Sequence, residues 1–153
     1  HRCSAASEGP RLRRTVSTMK HLPPTRDAVC DTLGIDFAYT RDGACMSTLN
    51  AGPQVCNIFG VVHGAVLFAM ADTAMGFALL DALGGRPRLG SISVTANYLR
   101  PAAPGSVEAR ARLVRLGRSI AFLACDIRDG EGADCAQFSG IFHIRTNHEE
   151  RQP

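Results

Sequence analysis

One acid interrupts an otherwise apolar stretch. In HGAVLFAMADTAMGFALLDALG, residues 63–84, Asp72 stands among Ala, Met, Phe and Leu. Asp is among the side chains least often fully buried without a partner, so its place there needs an account. One account is structural, a carboxylate satisfied by a buried donor, although the stretch offers no Lys or Arg at helical spacing to pair with it. The other is chemical. Burial favours the neutral form and raises a carboxyl pKa, and a carboxylate in a low-dielectric cleft is a stronger base or nucleophile than one in water. Eight positions earlier Gly64 opens the same run. The first N–H groups of a helix have no intrahelical partner and carry partial positive charge, and a residue without a side chain lets a carbonyl reach them.

The elements that would position these groups can be read from the surrounding pattern. Residues 61–80 form a run long enough to span a bilayer. An Asp at mid-membrane costs about 3 kcal/mol on insertion scales, and no Lys/Arg cluster flanks the run to set an orientation. The residues after it are strand-like, so the run is read as a buried core helix stopped at Gly84-Gly85. Ahead of it, PPTRDAVCDTLG (23–34) suits a short helix, and residues 35–50 suit two strands turning at Arg41-Asp42-Gly43. AGPQVCNIFGVV is a Gly- and Pro-punctuated loop. Beyond the helix, SISVTANYL alternates, which puts Ile92, Val94, Ala96 and Tyr98 on one face and Ser91, Ser93, Thr95 and Asn97 on the other. Three more strands, 107–116, 120–128 and 135–145, are separated by tight turns, which implies antiparallel pairing. The fold class is α+β: an antiparallel sheet of about five to six strands wrapped around one long central helix.

Composition narrows the function classes. With 153 residues, 45% hydrophobic and 20% charged, the chain suits one soluble domain, expected over 19–153. A net charge of +3 with no basic run among aromatics gives no reason to expect nucleic acid. Six cysteines without a CxxC pair read as reduced thiols, hence a cytoplasmic protein. The five histidines lack metal-ligand spacing, and no GxGxxG or P-loop implies a nucleotide cofactor. Cys56 beside Asn57 has no His–Asp relay at a recognisable offset. Residues 1–18 are Arg- and Ser-rich, lack an apolar core and precede Met19. They read as a disordered or non-native tail, with a transit peptide as the alternative.

The spacing N-x5-HG-x7-D from Asn57 to Asp72, the YxxP beginning at Tyr98, and the Leu116-Gly117-Arg118 turn resemble the PaaI-type acyl-CoA thioesterases of the hotdog fold, over roughly residues 32–146. That resemblance implies hydrolysis of an aryl- or medium-chain acyl-CoA, with no cofactor beyond the coenzyme A of the substrate. It gives Asp72 the role of nucleophile or general base and the Gly64 amide that of oxyanion donor. It also implies that Asn57, otherwise a plain turn residue, orients the thioester or water, with His63 holding its loop. Ser91 aligns with a water-positioning hydroxyl, and Thr95, on the face assigned to both, is the fallback; a solvated strand face is the plain alternative for each. One departure is Ala65, where the family usually carries a second Gly.

Among the arginines, Arg118 is the first choice for a coenzyme A phosphate, since guanidinium suits phosphate. Phe68 and Met75, with Met70 and Phe77, either line an acyl pocket or belong to the core. Eight residues of helix separate Gly64 from Asp72 by about 12 Å, so one helix cannot bring both to one carbonyl. Two antiparallel helices across a two-fold axis can. The expected assembly is therefore a homodimer, and the family often builds dimers of dimers, here a homotetramer. The alternatives are a non-catalytic acyl-CoA binder and a hotdog enoyl-CoA hydratase or dehydratase.

Overall fold

A computed structural model describes residues 27–85 and 88–145; the tail assigned to 1–18 and the prolines at 23–24 lie outside them. Asp27 caps the short helix α1 (Ala28–Leu33) by accepting from the Cys30 N–H at 2.9 Å, and Gly34 ends it at φ 76°, a left-handed conformation natural to glycine. Strands β1 (Ile35–Tyr39) and β2 (Cys45–Ala51) pair across the expected turn, where Gly43 has φ 80°. A single 3-10 turn at Pro53–Val55 leads to the central helix α2 (Gly64–Ala82). Then come β3 (Arg88–Tyr98), β4 (Gly105–Leu116), β5 (Ile120–Asp129) and β6 (Asp134–Arg145). All pairings are antiparallel, in the order β1-β2-β4-β5-β6-β3, so β3 occupies one edge of the six-stranded sheet.

By length and composition α2 could cross a membrane; in this fold all six strands pack against it instead. One face of the helix supplies the core: Val66, Leu67, Met70, Ala71, Ala74, Met75, Ala78 and Leu79 are buried. They recur in adjacent pairs four residues apart, as one side of an α-helix requires. The expectation of a helix covered on every side is corrected here. Phe68, Ala69, Asp72, Thr73, Gly76, Phe77 and Leu80 form a second stripe that the sheet leaves half covered. Asp72 lies on that open stripe.

Strand β3 departs from simple alternation. Its register against β6 shifts between Ser91 and Ser93, leaving Ile92 as an extra residue without a partner. A bulge of this kind reverses which side chains face inward. Leu89 and Ser91 look towards α2, whereas beyond the bulge Val94 and Ala96 do so, packed against the core. Ile92 is 57% exposed.

Candidate active site

The N-terminal end of α2 is built so that one amide stays free. His63 is the N-cap, and its Nδ1 accepts from the Ala65 N–H at 3.0 Å. The N–H groups of Val66 and Leu67 bond to the His63 carbonyl. Among the described residues the Gly64 N–H has no acceptor, and it borders a cavity of about 510 Å³. Tyr98 closes down on the same glycine. Its hydroxyl donates to the Gly64 carbonyl at 2.9 Å, and a Cβ at position 64 would lie 3.2 Å from Cζ of its ring. A side chain there would fit only if the Tyr98 ring gave way by a few tenths of an ångström. Ala65 is exposed, so the methyl in place of the family's second Gly points away from the core.

Asn57 borders the same cavity. Its side-chain oxygen accepts from the N–H groups of Phe59 at 2.9 Å and Val61 at 3.4 Å, closing the loop in the manner of an Asx turn. The turn role and the site role therefore coexist: the oxygen is committed to the loop, which leaves the NH₂ group as the donor available to the cavity. Arg100 borders it too, held by Asp129 at 2.9 Å.

Asp72 borders a second cavity, of about 400 Å³, with Asp27, Thr73, Gly76, Phe77 and Ser91 among its walls. Its Oδ1 is closed off from solvent and has no hydrogen-bond partner among the described residues. Burial pushes the carboxyl above its ordinary range; the Ser91 hydroxyl, by hydrogen bonding, works against that rise, and the charge of Asp27 adds to it. Among the described residues Ser91 donates to the carboxyl, and no donor reaches Oδ1. The arrangement suits a group that takes up a proton or attacks carbon.

The structure brings Asn57, His63 and Gly64 together at one end of α2, and Asp72 with Ser91 further along it. Thr95 is not with them. The β3 bulge turns it outward, where it is exposed opposite Ser139, so the shared face expected for Ser91 and Thr95 is corrected. Met75 is fully enclosed, and Met70 likewise, so the core account holds for both and a lining role does not. Phe68 is 36% exposed and meets Phe138 edge-on at 5.8 Å, but borders neither cavity. Phe77 and Phe142 line the Asp72 cavity instead. Arg118 sits exposed on the β4–β5 turn, next to Ser119, whose carbonyl accepts from Ile144 N–H. It borders neither cavity.

Sequence reasoning missed Asp27, Phe142 and the part Tyr98 plays. Tyr98 was visible in the YxxP pattern, but nothing in its spacing says that it reaches a residue 34 positions away. The five described cysteines are all unpaired, and no cluster of His, Cys, Asp and Glu suited to a metal occurs among the described residues.

Comparison with known proteins adds an independent line. The sequence model of the thioesterase superfamily matches residues 59–136, just over half of the chain. A Haemophilus influenzae protein is 33% identical over 103 residues, covering 67% of this chain and 75% of its own. The acyl-coenzyme A thioesterase PaaI of Escherichia coli is 28% identical over 124 residues, 80% of this chain and 86% of its own. Among solved structures, a thioesterase from Haemophilus influenzae superposes with a TM-score of 0.76 at 28% identity, over 82% of this chain and 88% of its own.

Proposed function

The chain belongs to the thioesterase superfamily and is a thioester hydrolase of the hotdog fold, and from that premise we propose that it hydrolyses an acyl-CoA thioester, aryl or medium-chain, to the free acid and coenzyme A. The single observation that carries the site assignment is the buried, unpartnered Oδ1 of Asp72 in a cavity. As general base, Asp72 takes a proton from water, and the hydroxide attacks the thioester carbon. The carbonyl electron pair moves to oxygen, where the Gly64 N–H and the Asn57 NH₂ group stabilise the developing charge. The pair returns, the C–S bond breaks, and coenzyme A leaves as thiolate, to be protonated by Asp72 or solvent. Direct attack by Asp72, giving a mixed anhydride that water then splits, uses the same donors. Ser91 orients the water or the carboxylate.

Both halves cannot come from one chain, because the helix rise keeps Gly64 and Asp72 about 12 Å apart. The proposed site is composite, with Gly64 of one protomer facing Asp72 of the other. Two observations support a homodimer built this way. The stripe of α2 that carries Asp72 is left half covered by its own sheet, and β3 is an edge strand with one side unpaired, which a second copy can extend. Arg118, exposed on the β4–β5 turn, is the proposed contact for a coenzyme A phosphate.

Release of free thiol from benzoyl-, phenylacetyl- and medium-chain acyl-CoA, beside hydration of an enoyl-CoA as control, tests the reaction. Mixing Gly64→Pro chains, which lack the amide, with Asp72→Asn chains tests the geometry. Each variant alone is expected to be inactive, and heterodimers are expected to regain activity at one of their two sites. A fully active monomer in sedimentation, or no recovery in mixed dimers that are folded, overturns the composite site.

A further inference from the structure

The Asp72 cavity contains a second carboxylate that the hydrolytic steps do not use. Asp27, the N-cap of α1, borders it. One of its oxygens accepts from the Cys30 N–H at 2.9 Å, and the carboxylate also interacts with the Cys30 thiol. Its place is held from two sides: α1 ends on a left-handed glycine that turns the chain into β1, and the Cys30 thiol ties α1 to α2 at Thr73 Oγ1, 3.4 Å away. Thr73 is the residue beside Asp72, and it borders the same cavity. Among the described residues no Lys or Arg lines this cavity to offset either acid. Apart from Ser91 the remaining wall is glycine and hydrocarbon, with Gly76 and Gly90 leaving room and Phe77, Leu80 and Phe142 closing the sides.

We propose that Asp27 is a specificity-determining residue, a fixed negative charge that makes this cleft admit uncharged acyl groups and reject those carrying a carboxylate of their own. The inference rests on the cleft being the acyl end of the thioesterase site. An anionic acyl chain entering it loses water on apolar walls and meets a like charge in a medium of reduced dielectric, where repulsion is several times stronger than in bulk water. A neutral chain meets neither cost. Specificity then comes from penalising the wrong substrate as much as from holding the right one.

The test uses binding, so that it does not depend on turnover. Two non-hydrolysable thioethers, S-pentyl-CoA and S-(4-carboxybutyl)-CoA, are titrated calorimetrically into the full-length protein and into Asp27→Asn. Asn is as good an N-cap as Asp, so α1 keeps its cap. The wild-type protein is expected to bind the pentyl ligand at least tenfold more tightly. Asp27→Asn is expected to narrow that ratio at least fivefold, through tighter binding of the carboxylated ligand alone. An unchanged ratio, or an equal loss for both ligands, overturns the charge role while leaving the thioesterase reading in place if thiol is still released from acyl-CoA. Failure of the wild type to bind either thioether overturns both.

Discussion

Replacing Asp72 by Asn separates the two accounts of the acid with one variant, because they predict opposite signs of stability. The side chain keeps its shape and loses its charge. If Asp72 is the general base or nucleophile, turnover of acyl-CoA falls by about 10²-fold or more, the scale of removing a positioned acid–base group. Stability is expected to hold or rise. In the native state burial and the charge of Asp27 push the Asp72 carboxyl above its ordinary range, only partly offset by Ser91. A carboxyl raised in this way binds its proton more tightly folded than unfolded, so its ionisation destabilises the fold as pH rises through the native value. Asn removes that penalty. The gain in Tm over wild type is therefore expected at pH 7–8, and it shrinks as pH falls towards about 3.9, the unfolded value, where both states of the wild type become neutral. A structural acid with satisfied donors behaves otherwise. Its loss costs about 1–3 kcal/mol, on the order of 3–10 °C in Tm for a chain of this size. Differential scanning calorimetry across pH at fixed protein concentration, together with thiol release on the same samples, makes the comparison. An Asp72→Asn protein that melts several degrees lower at pH 7 and hydrolyses acyl-CoA normally refutes the reasoning.

Other predictions rest on different parts of the molecule. If Arg118 holds a phosphate of coenzyme A, Arg118→Ala raises KM for CoA esters with little change in kcat, and affects a pantetheine thioester less; equal loss on both marks a structural role. Two glycines facing Phe142 are expected to respond with opposite signs. At Gly140 a Cβ would lie 2.7 Å from Phe142 Cε2 and 3.0 Å from Met75 Sδ, so Gly140→Ala overpacks the core and costs about 1–3 kcal/mol in denaturant unfolding. At Gly76 a Cβ would meet only Phe142 Cε1, at 3.9 Å, so Gly76→Ala gains about 0.5–1 kcal/mol from helix propensity while filling part of the cleft. Its relative activity is then expected to shift towards shorter acyl groups.

The sequence on its own determined the features that short-range chemistry controls. The apolar run of α2, its glycine stop, the turns at Gly43 and Gly117 and the four later strands were all readable, because helix period, turn preference and strand alternation depend on neighbours a few positions apart. Asp72 was readable for a related reason: a charge among hydrocarbon side chains is an energetic anomaly whatever the fold. The pattern linking Asn57, His63, Gly64 and Asp72 was readable as a family resemblance. It was not readable that His63 occupies the Ala65 amide and so leaves that of Gly64 free, since capping geometry is a matter of where a ring settles. Only the tertiary structure decided that Ser91 and not Thr95 faces the acid, because the bulge at Ile92 belongs to the pairing of β3 with β6 and not to β3 alone. It likewise put Met75 in the core and Phe77 on the cleft, two positions apart on one helix. Tyr98 over Gly64 and Asp27 beside Asp72 join residues far apart in the chain, and contacts of that range come from how the sheet wraps the helix, which no local pattern records.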